Sequence, residues 1–130
     1  MARLAYSVIL THDIERLAAF YTAVLQTEPQ WNGAYAEFST GQASFTLWSV
    51  DAYAEIAGTA ALPRVGTGAI MLEFEVPDVD AEYMRLHGLA ELKIEFIIAP
   101  TTMAWGNRAI YFRDPDGNLL NLFSRAAPPQ

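Results

Sequence analysis

Cysteine is absent from all 130 residues. Its absence removes disulfides, thiol nucleophiles and Cys-type zinc sites together, and it makes the cytoplasm the expected compartment. Basic residues are scarce too: eight Lys and Arg stand against fifteen Asp and Glu, for a formal charge of −7. The eight are scattered, so no patch is available to neutralise a phosphate backbone, and nucleic acid is not an expected partner. No apolar run approaches the ~20 residues that span a bilayer. The opening MARLAYSVIL has neither the long apolar segment nor the cleavage site of a secretory signal, so neither a membrane nor a leader is expected. No Ser-His-Asp arrangement, phosphate loop or dinucleotide fingerprint occurs.

What remains is an ordinary globular composition, 52% apolar and 18% charged. A chain of this length makes one domain that buries roughly two thirds of its unfolded surface. Leu4–Thr11 reads as a strand, Asp13 as an N-cap, and Ile14, Leu17, Phe20, Tyr21, Val24 and Leu25 recur at helical spacing. Pro29 lies past that helix; Ala34–Ser39 and Ser44–Val50 then flank Thr40-Gly41-Gln42 as a hairpin. The pattern restarts at Ala69. AIMLEFEV is a strand, Asp78 caps a helix carrying Val79, Tyr83 and Leu86, and His87-Gly88 closes it. Leu92–Ile98 reads as a strand, and Arg108–Arg113 and Asn118–Phe123 as a hairpin around Asp114-Pro115-Asp116-Gly117.

Asp13 and Asp78 lie 78 − 13 = 65 positions apart, half the chain. The spacing predicts an α+β fold of two similar modules, 1–57 and 69–125, joined by an Ala-, Gly- and Pro-rich connection over 58–68 within a single domain, 1–130. Each module is a sheet with a helix on one face, so its other face is left for function. Alternation turns Ala36, Phe38, Phe45, Leu47, Ile110, Phe112, Leu120 and Leu122 toward the helices. The opposite faces receive Tyr6, Val8, Leu10, Tyr35, Glu37, Thr46 and Trp48 in the first module. In the second they receive Met71, Glu73, Glu75, Tyr111, Asn121 and Phe123. A single bulge would shift this register.

Two stretches carry a family resemblance. SVILTHDIERLAAFYTAVL is similar to the opening strand and Asp-capped helix of the vicinal oxygen chelate superfamily, which includes glyoxalase I, extradiol dioxygenases and the fosfomycin and bleomycin resistance proteins. YFRDPDGNLLNLF resembles its closing hairpin, with WGNRAIYF ahead of it also fitting. The resemblance implies a glyoxalase/bleomycin resistance-like fold of paired βαβββ modules. Metal-dependent members hold one divalent ion at the start of each module's first strand and the middle of each last strand. Those places match Tyr6, Met71, Thr46 and Asn121 here, and none offers the imidazole or carboxylate that such an ion needs. No bound metal and no other cofactor is therefore expected. His12 and His87 fall at helix boundaries and read as surface or capping residues.

The leading expectation is a metal-free protein, not an enzyme, that binds a small aromatic or cationic molecule, similar in logic to bleomycin resistance proteins. Tyr6, Tyr35, Trp48, Tyr111 and Phe123, with Trp31 and Trp105 from adjoining loops, supply stacking surfaces, and Glu73, Glu75 and Glu37 supply negative charge. The alternative that some of these rings are simply core, and the carboxylates a solvated face, stays open. So does a lyase or dioxygenase holding a divalent metal through atypical ligands, and so does a vestigial site. The resemblance also implies a homodimer.

Overall fold

The computed structural model describes residues 1, 4–59 and 70–125. The chain divides into two compact units, Met1–Gly66 and Thr67–Gln130. Most of the expected connection, from position 60 to 68, lies outside the described residues.

The first unit runs β1 (Tyr6–Thr11), α1 (Ile14–Leu25), β2 (Gln30–Trp31), β3 (Tyr35–Phe38), β4 (Ser44–Ser49) and α2 (Val50–Ala57). Its sheet is ordered β1-β4-β3-β2, with β1 parallel to β4 and the other pairs antiparallel. The second unit runs β5 (Met71–Glu75), α3 (Val79–His87), a 3-10 turn at Ala90–Leu92, β6 (Phe96–Thr102), β7 (Arg108–Arg113) and β8 (Leu119–Ser124). Its sheet repeats the order as β5-β8-β7-β6, again with the first strand parallel to the last. The two βαβββ modules expected from the sequence are present, and the fold is α+β.

The helices begin alike. Asp13 Oδ1 accepts from the Arg16 amide and Asp78 Oδ1 from the Ala81 amide, each at 3.1 Å, satisfying a donor that a first helical turn leaves orphaned. The Val79 amide donates to Ser124 Oγ at 2.9 Å, which ties the start of α3 to the end of β8. The helices end differently. Gln26 closes α1 in the left-handed region at φ 53°, whereas Gly88 closes α3 at φ −77°, so its glycine is not needed for backbone geometry.

In the first unit Leu17, Ala18, Phe20, Tyr21 and Val24 of α1 are buried, as are Ala36, Phe38, Phe45 and Leu47 of the sheet. Tyr21 is the hinge of this core: its ring meets Phe45 at 4.7 Å, Phe20 at 5.4 Å and Phe38 at 6.5 Å, all edge-on, the arrangement aromatic quadrupoles favour. In the second unit Val79 and Leu86 are buried alongside Ile110, Phe112, Leu120 and Leu122, and Phe96 packs between Tyr83 and Phe112. The eight hairpin residues expected to face the helices are all buried, so alternation set the register correctly there. The closing turn is also as expected. The Gly117 amide donates to the Asp114 carbonyl at 3.0 Å, and Gly117 exits at φ 89°, where a side chain would be strained.

Three expectations need correction. The strand expected over Ser44–Val50 stops at Ser49, whose Oγ accepts from the Ala52 amide and starts a helix that the alternation reading missed. The strand expected over Leu92–Ile98 begins only at Phe96. Leu92, Ile94, Phe96 and Ile98 alternate as a strand should, but Ala90–Leu92 coils and Lys93 turns left-handed at φ 52°, which no side-chain pattern announces. The third is Trp31, expected on a loop, which instead pairs with Ala36 on the short outer strand β2.

Candidate functional site

In the first unit, the sheet face opposite α1 carries two cross-strand rows. Val8, Thr46 and Glu37 are level, and so are Leu10, Trp48 and Tyr35. Trp48 is half-buried because two rings meet it edge-on, Tyr35 at 5.3 Å and Tyr53 of α2 at 5.0 Å. Tyr53 went unnoticed in the sequence because its helix did. The signal was there, in a Ser cap followed by Asp in the first turn, ahead of Ala-rich sequence. Thr46 is fully buried and its Oγ1 donates to the Ser7 carbonyl at 2.9 Å, so it is bound up in joining β4 to β1. Tyr6 is 55% exposed and level with Ser44, two residues or about 7 Å along the strand from the Val8–Thr46 row. Trp31 serves a different place: with Pro29 and Glu28 it borders an open cavity of about 410 Å³ over Ala19, Thr22 and Ala23 of α1.

The second unit places Glu73, Asn121 and Tyr111 level on neighbouring strands. Asn121 is only 4% exposed, yet it sits on the face away from the apolar core residues Leu120 and Leu122. Its Nδ2 donates to Glu73 Oε1 at 3.0 Å, while its Oδ1 is buried and has no hydrogen-bond partner among the described residues. Leaving a buried acceptor unmade costs about 1–3 kcal/mol, so the arrangement needs something to offset it. Met71 is 47% exposed and level with Leu119, two residues along the strand from Asn121. Glu75 is drawn off by Arg125, at 3.0 Å, and that guanidinium also stands 5.8 Å from the centre of the Phe123 ring. Trp105, 66% exposed, occupies the turn between β6 and β7, which the Met103 and Gly106 amides close onto Asn107 and Met103.

A separate ion pair is structural. Arg108 of β7 grips both oxygens of Asp80 on α3, at 2.8 and 3.0 Å. The hydrogen bond from Arg108 holds the Asp80 carboxyl below the usual carboxylate range, and the same bond raises the guanidinium further.

The positions where the superfamily would hold a divalent ion can be tested on these contacts. Thr46 spends its hydroxyl proton on a backbone carbonyl, Asn121 turns its amide nitrogen to Glu73, and Tyr6 and Met71 offer a phenol and a thioether. Among the described residues no three His, Cys, Asp or Glu side chains are grouped to hold a metal ion. A single carboxylate beside each row, Glu37 level with Thr46 and Glu73 level with Asn121, is too little to offset the desolvation of a divalent cation, so these residues do not fit the metal. His12 is exposed, and His87 packs its ring against Tyr83 at the end of α3, as capping residues would. No helix among the described residues is long and apolar enough to cross a membrane.

Comparison with known proteins agrees with this picture of the fold. The uncharacterised protein YraH of Bacillus subtilis (strain 168) is 31% identical over 121 residues, covering 88% of this chain and 92% of its own. A glyoxalase/bleomycin resistance protein/dioxygenase from Nocardioides superposes with a TM-score of 0.78 at 25% identity, over 100% of this chain and 87% of that one. A glyoxalase-related enzyme from Fulvimarina pelagi shares the fold at 17% identity, with a TM-score of 0.77 over 96% of this chain and 89% of its own. The sequence model of one family matches residues 3–122, nearly the whole of both modules. The chain belongs to the Glyoxalase/Bleomycin resistance protein/Dioxygenase superfamily.

Proposed function

We propose that this protein binds a small aromatic or cationic organic molecule without the help of a metal ion, as a binding protein and not as an enzyme. The observation that carries the reading is the three-ring cluster of Trp48, Tyr35 and Tyr53, left half-exposed on a sheet face whose opposite side is fully packed. Edge-on neighbours fix the indole while leaving ring surface for a ligand to stack on, and a fixed ring loses little entropy when it binds. Glu37 on the adjoining row and the acidic chain as a whole favour a ligand of positive or neutral charge over an anion. The lack of fit between the metal positions and a divalent ion supports the same reading against a lyase or dioxygenase. By resemblance, the working form is a homodimer.

The test is titration of proflavine, a flat aromatic cation, and naphthol, a neutral aromatic, followed by tryptophan emission and calorimetry. We expect one or both to bind with micromolar to millimolar affinity and Trp48→Ala to abolish the binding. Silence from both compounds, or binding indifferent to Trp48→Ala, would count against the reading. Native mass spectrometry of freshly purified protein reports subunit number and any retained molecule in one spectrum.

A further inference from the structure

Asn121 and Glu73 together present an unmatched amide oxygen and a carboxylate, with one of the two amide hydrogens already given to the carboxylate. An amide side chain carries two N–H donors on one end and an acceptor oxygen on the other, whereas a carboxylate only accepts. Because Glu73 Oε1 takes the hydrogen bond from Asn121 Nδ2, the amide cannot be turned round; doing so would press two acceptor oxygens together. Its Oδ1 is thereby committed to point elsewhere, and there it is buried with no donor among the described residues. Asn121 is 4% exposed, so bulk water does not solve the problem as it does for a surface amide. The second oxygen of Glu73 makes no hydrogen bond among the described residues either, and Glu73 itself is exposed. Two acceptors, one buried and neutral and one accessible and anionic, therefore wait on strands β8 and β5, level with each other in the ladder.

From this we infer that the Glu73–Asn121 pair is a binding site for a cationic group made of N–H donors: an amidinium, a guanidinium or a primary ammonium. Such a group sets its charge against the exposed Glu73 carboxylate, and a small local opening lets one of its hydrogens reach Asn121 Oδ1, which the structure holds closed off. A carboxylate or phosphate would meet the like charge of Glu73, and a neutral amide would supply a donor without the charge. Tyr111, level with Asn121 on β7, adds a ring beside the pair for the body of the ligand. The inference rests on the small-molecule reading above and adds a recognition point of defined polarity in the second unit.

Benzamidine, benzamide and benzoate share a ring and a nearly identical shape, and they differ in this polarity alone. Calorimetric titration of the full chain should show benzamidine binding about tenfold or more tighter than benzamide, with no binding of benzoate. Glu73→Gln, at an exposed position where folding is not at risk, should weaken benzamidine about tenfold and leave benzamide unchanged, because the amide pair survives and the charge does not. Asn121→Leu should abolish the preference for benzamidine over benzamide if it folds. Equal affinity for benzamidine and benzamide, measurable benzoate binding, or a Glu73→Gln protein that binds benzamidine normally would each overturn the inference. If naphthol or proflavine binds through Trp48 and benzamidine does not bind, the general reading stands and this one falls; silence from all five compounds overturns both.

Discussion

Asn121 and Glu73 sit level on neighbouring parallel strands and share one hydrogen bond of 3.0 Å, which leaves the amide oxygen buried and unmatched among the described residues. The corresponding row of the first unit is closed. There Val8 is level with Thr46, whose hydroxyl is used on the Ser7 carbonyl. The same buried ladder position is thus satisfied in one module and left with an unmatched acceptor, among the described residues, in the other.

That difference predicts an uncommon mutational result. Asn121→Leu removes a buried acceptor with no partner and substitutes an apolar side chain of similar size, so the ligand-free protein should keep its stability or gain up to about 1 kcal/mol in urea denaturation. A loss above about 2 kcal/mol would mean that Asn121 is a structural residue, held by its bond to Glu73.

Asp114 should behave in the opposite way. Its Oδ1 accepts from the amides of Asp116 and Asn118, both at 2.9 Å, and its Oδ2 from Asn118 Nδ2 at 2.8 Å, in a turn where it is 5% exposed. Asp114→Ala should cost roughly 3 kcal/mol, and Asp114→Asn nearly as much, because a new N–H donor would then face the donor of Asn118. Thermal and urea unfolding of the two variants check this; a harmless Asp114→Asn would show that the turn is held by its backbone bond and Gly117 alone.

The Asp80–Arg108 pair gives a pH signature. Arg108 lowers the folded carboxyl relative to the unfolded chain, so the pair's contribution is present above the ordinary carboxylate value and is lost as pH falls below about 4. Raising of the guanidinium acts only at strongly alkaline pH, outside any practical range. Asp80→Asn should therefore lower Tm at pH 7, and the difference should shrink progressively as pH falls below the ordinary carboxylate value. Because the pair is exposed, the pH 7 difference should shrink as salt is raised. A difference that persists unchanged at pH 2.5 would refute the assignment.

Metal addition should do little. A divalent ion at a hundred times its dissociation constant would stabilise the fold by about 2.7 kcal/mol, a shift of several degrees in Tm. Zinc, nickel, manganese or ferrous iron in tenfold excess should instead leave Tm within about 1 °C, and protein purified without chelator should carry no stoichiometric metal by elemental analysis. A bound equivalent would revive the enzymatic alternative, with Glu73 as the first ligand to mutate.

The fold was legible because it is written in alternation and caps. Phe38, Phe45, Ile110 and Leu122 fell on the core face by simple parity, and Asp13 and Asp78 marked both helix starts. The site was less legible, for two reasons. Which side chains stand level across strands depends on register, which spacing along one strand does not contain; counting back from the capping aspartates singled out Met71, whereas the ladder sets Glu73 beside Asn121. Tyr53 was lost with α2, since eight residues rich in alanine carry too weak a periodic signal to outcompete the strand before them. Side-chain identity at Asn121 pointed to the right position, but only its bond to Glu73 reveals which end of the amide is free.

Pro100 lies within β6, an edge strand of the second sheet, where pairing with β7 slips between Ile98 and Thr101. A proline has no amide hydrogen to offer and a slipped stretch is kinked, so a foreign chain cannot zip onto this margin in continuous register. Replacing Pro100 with valine would restore an amide donor to this margin and make it a better template for a foreign strand.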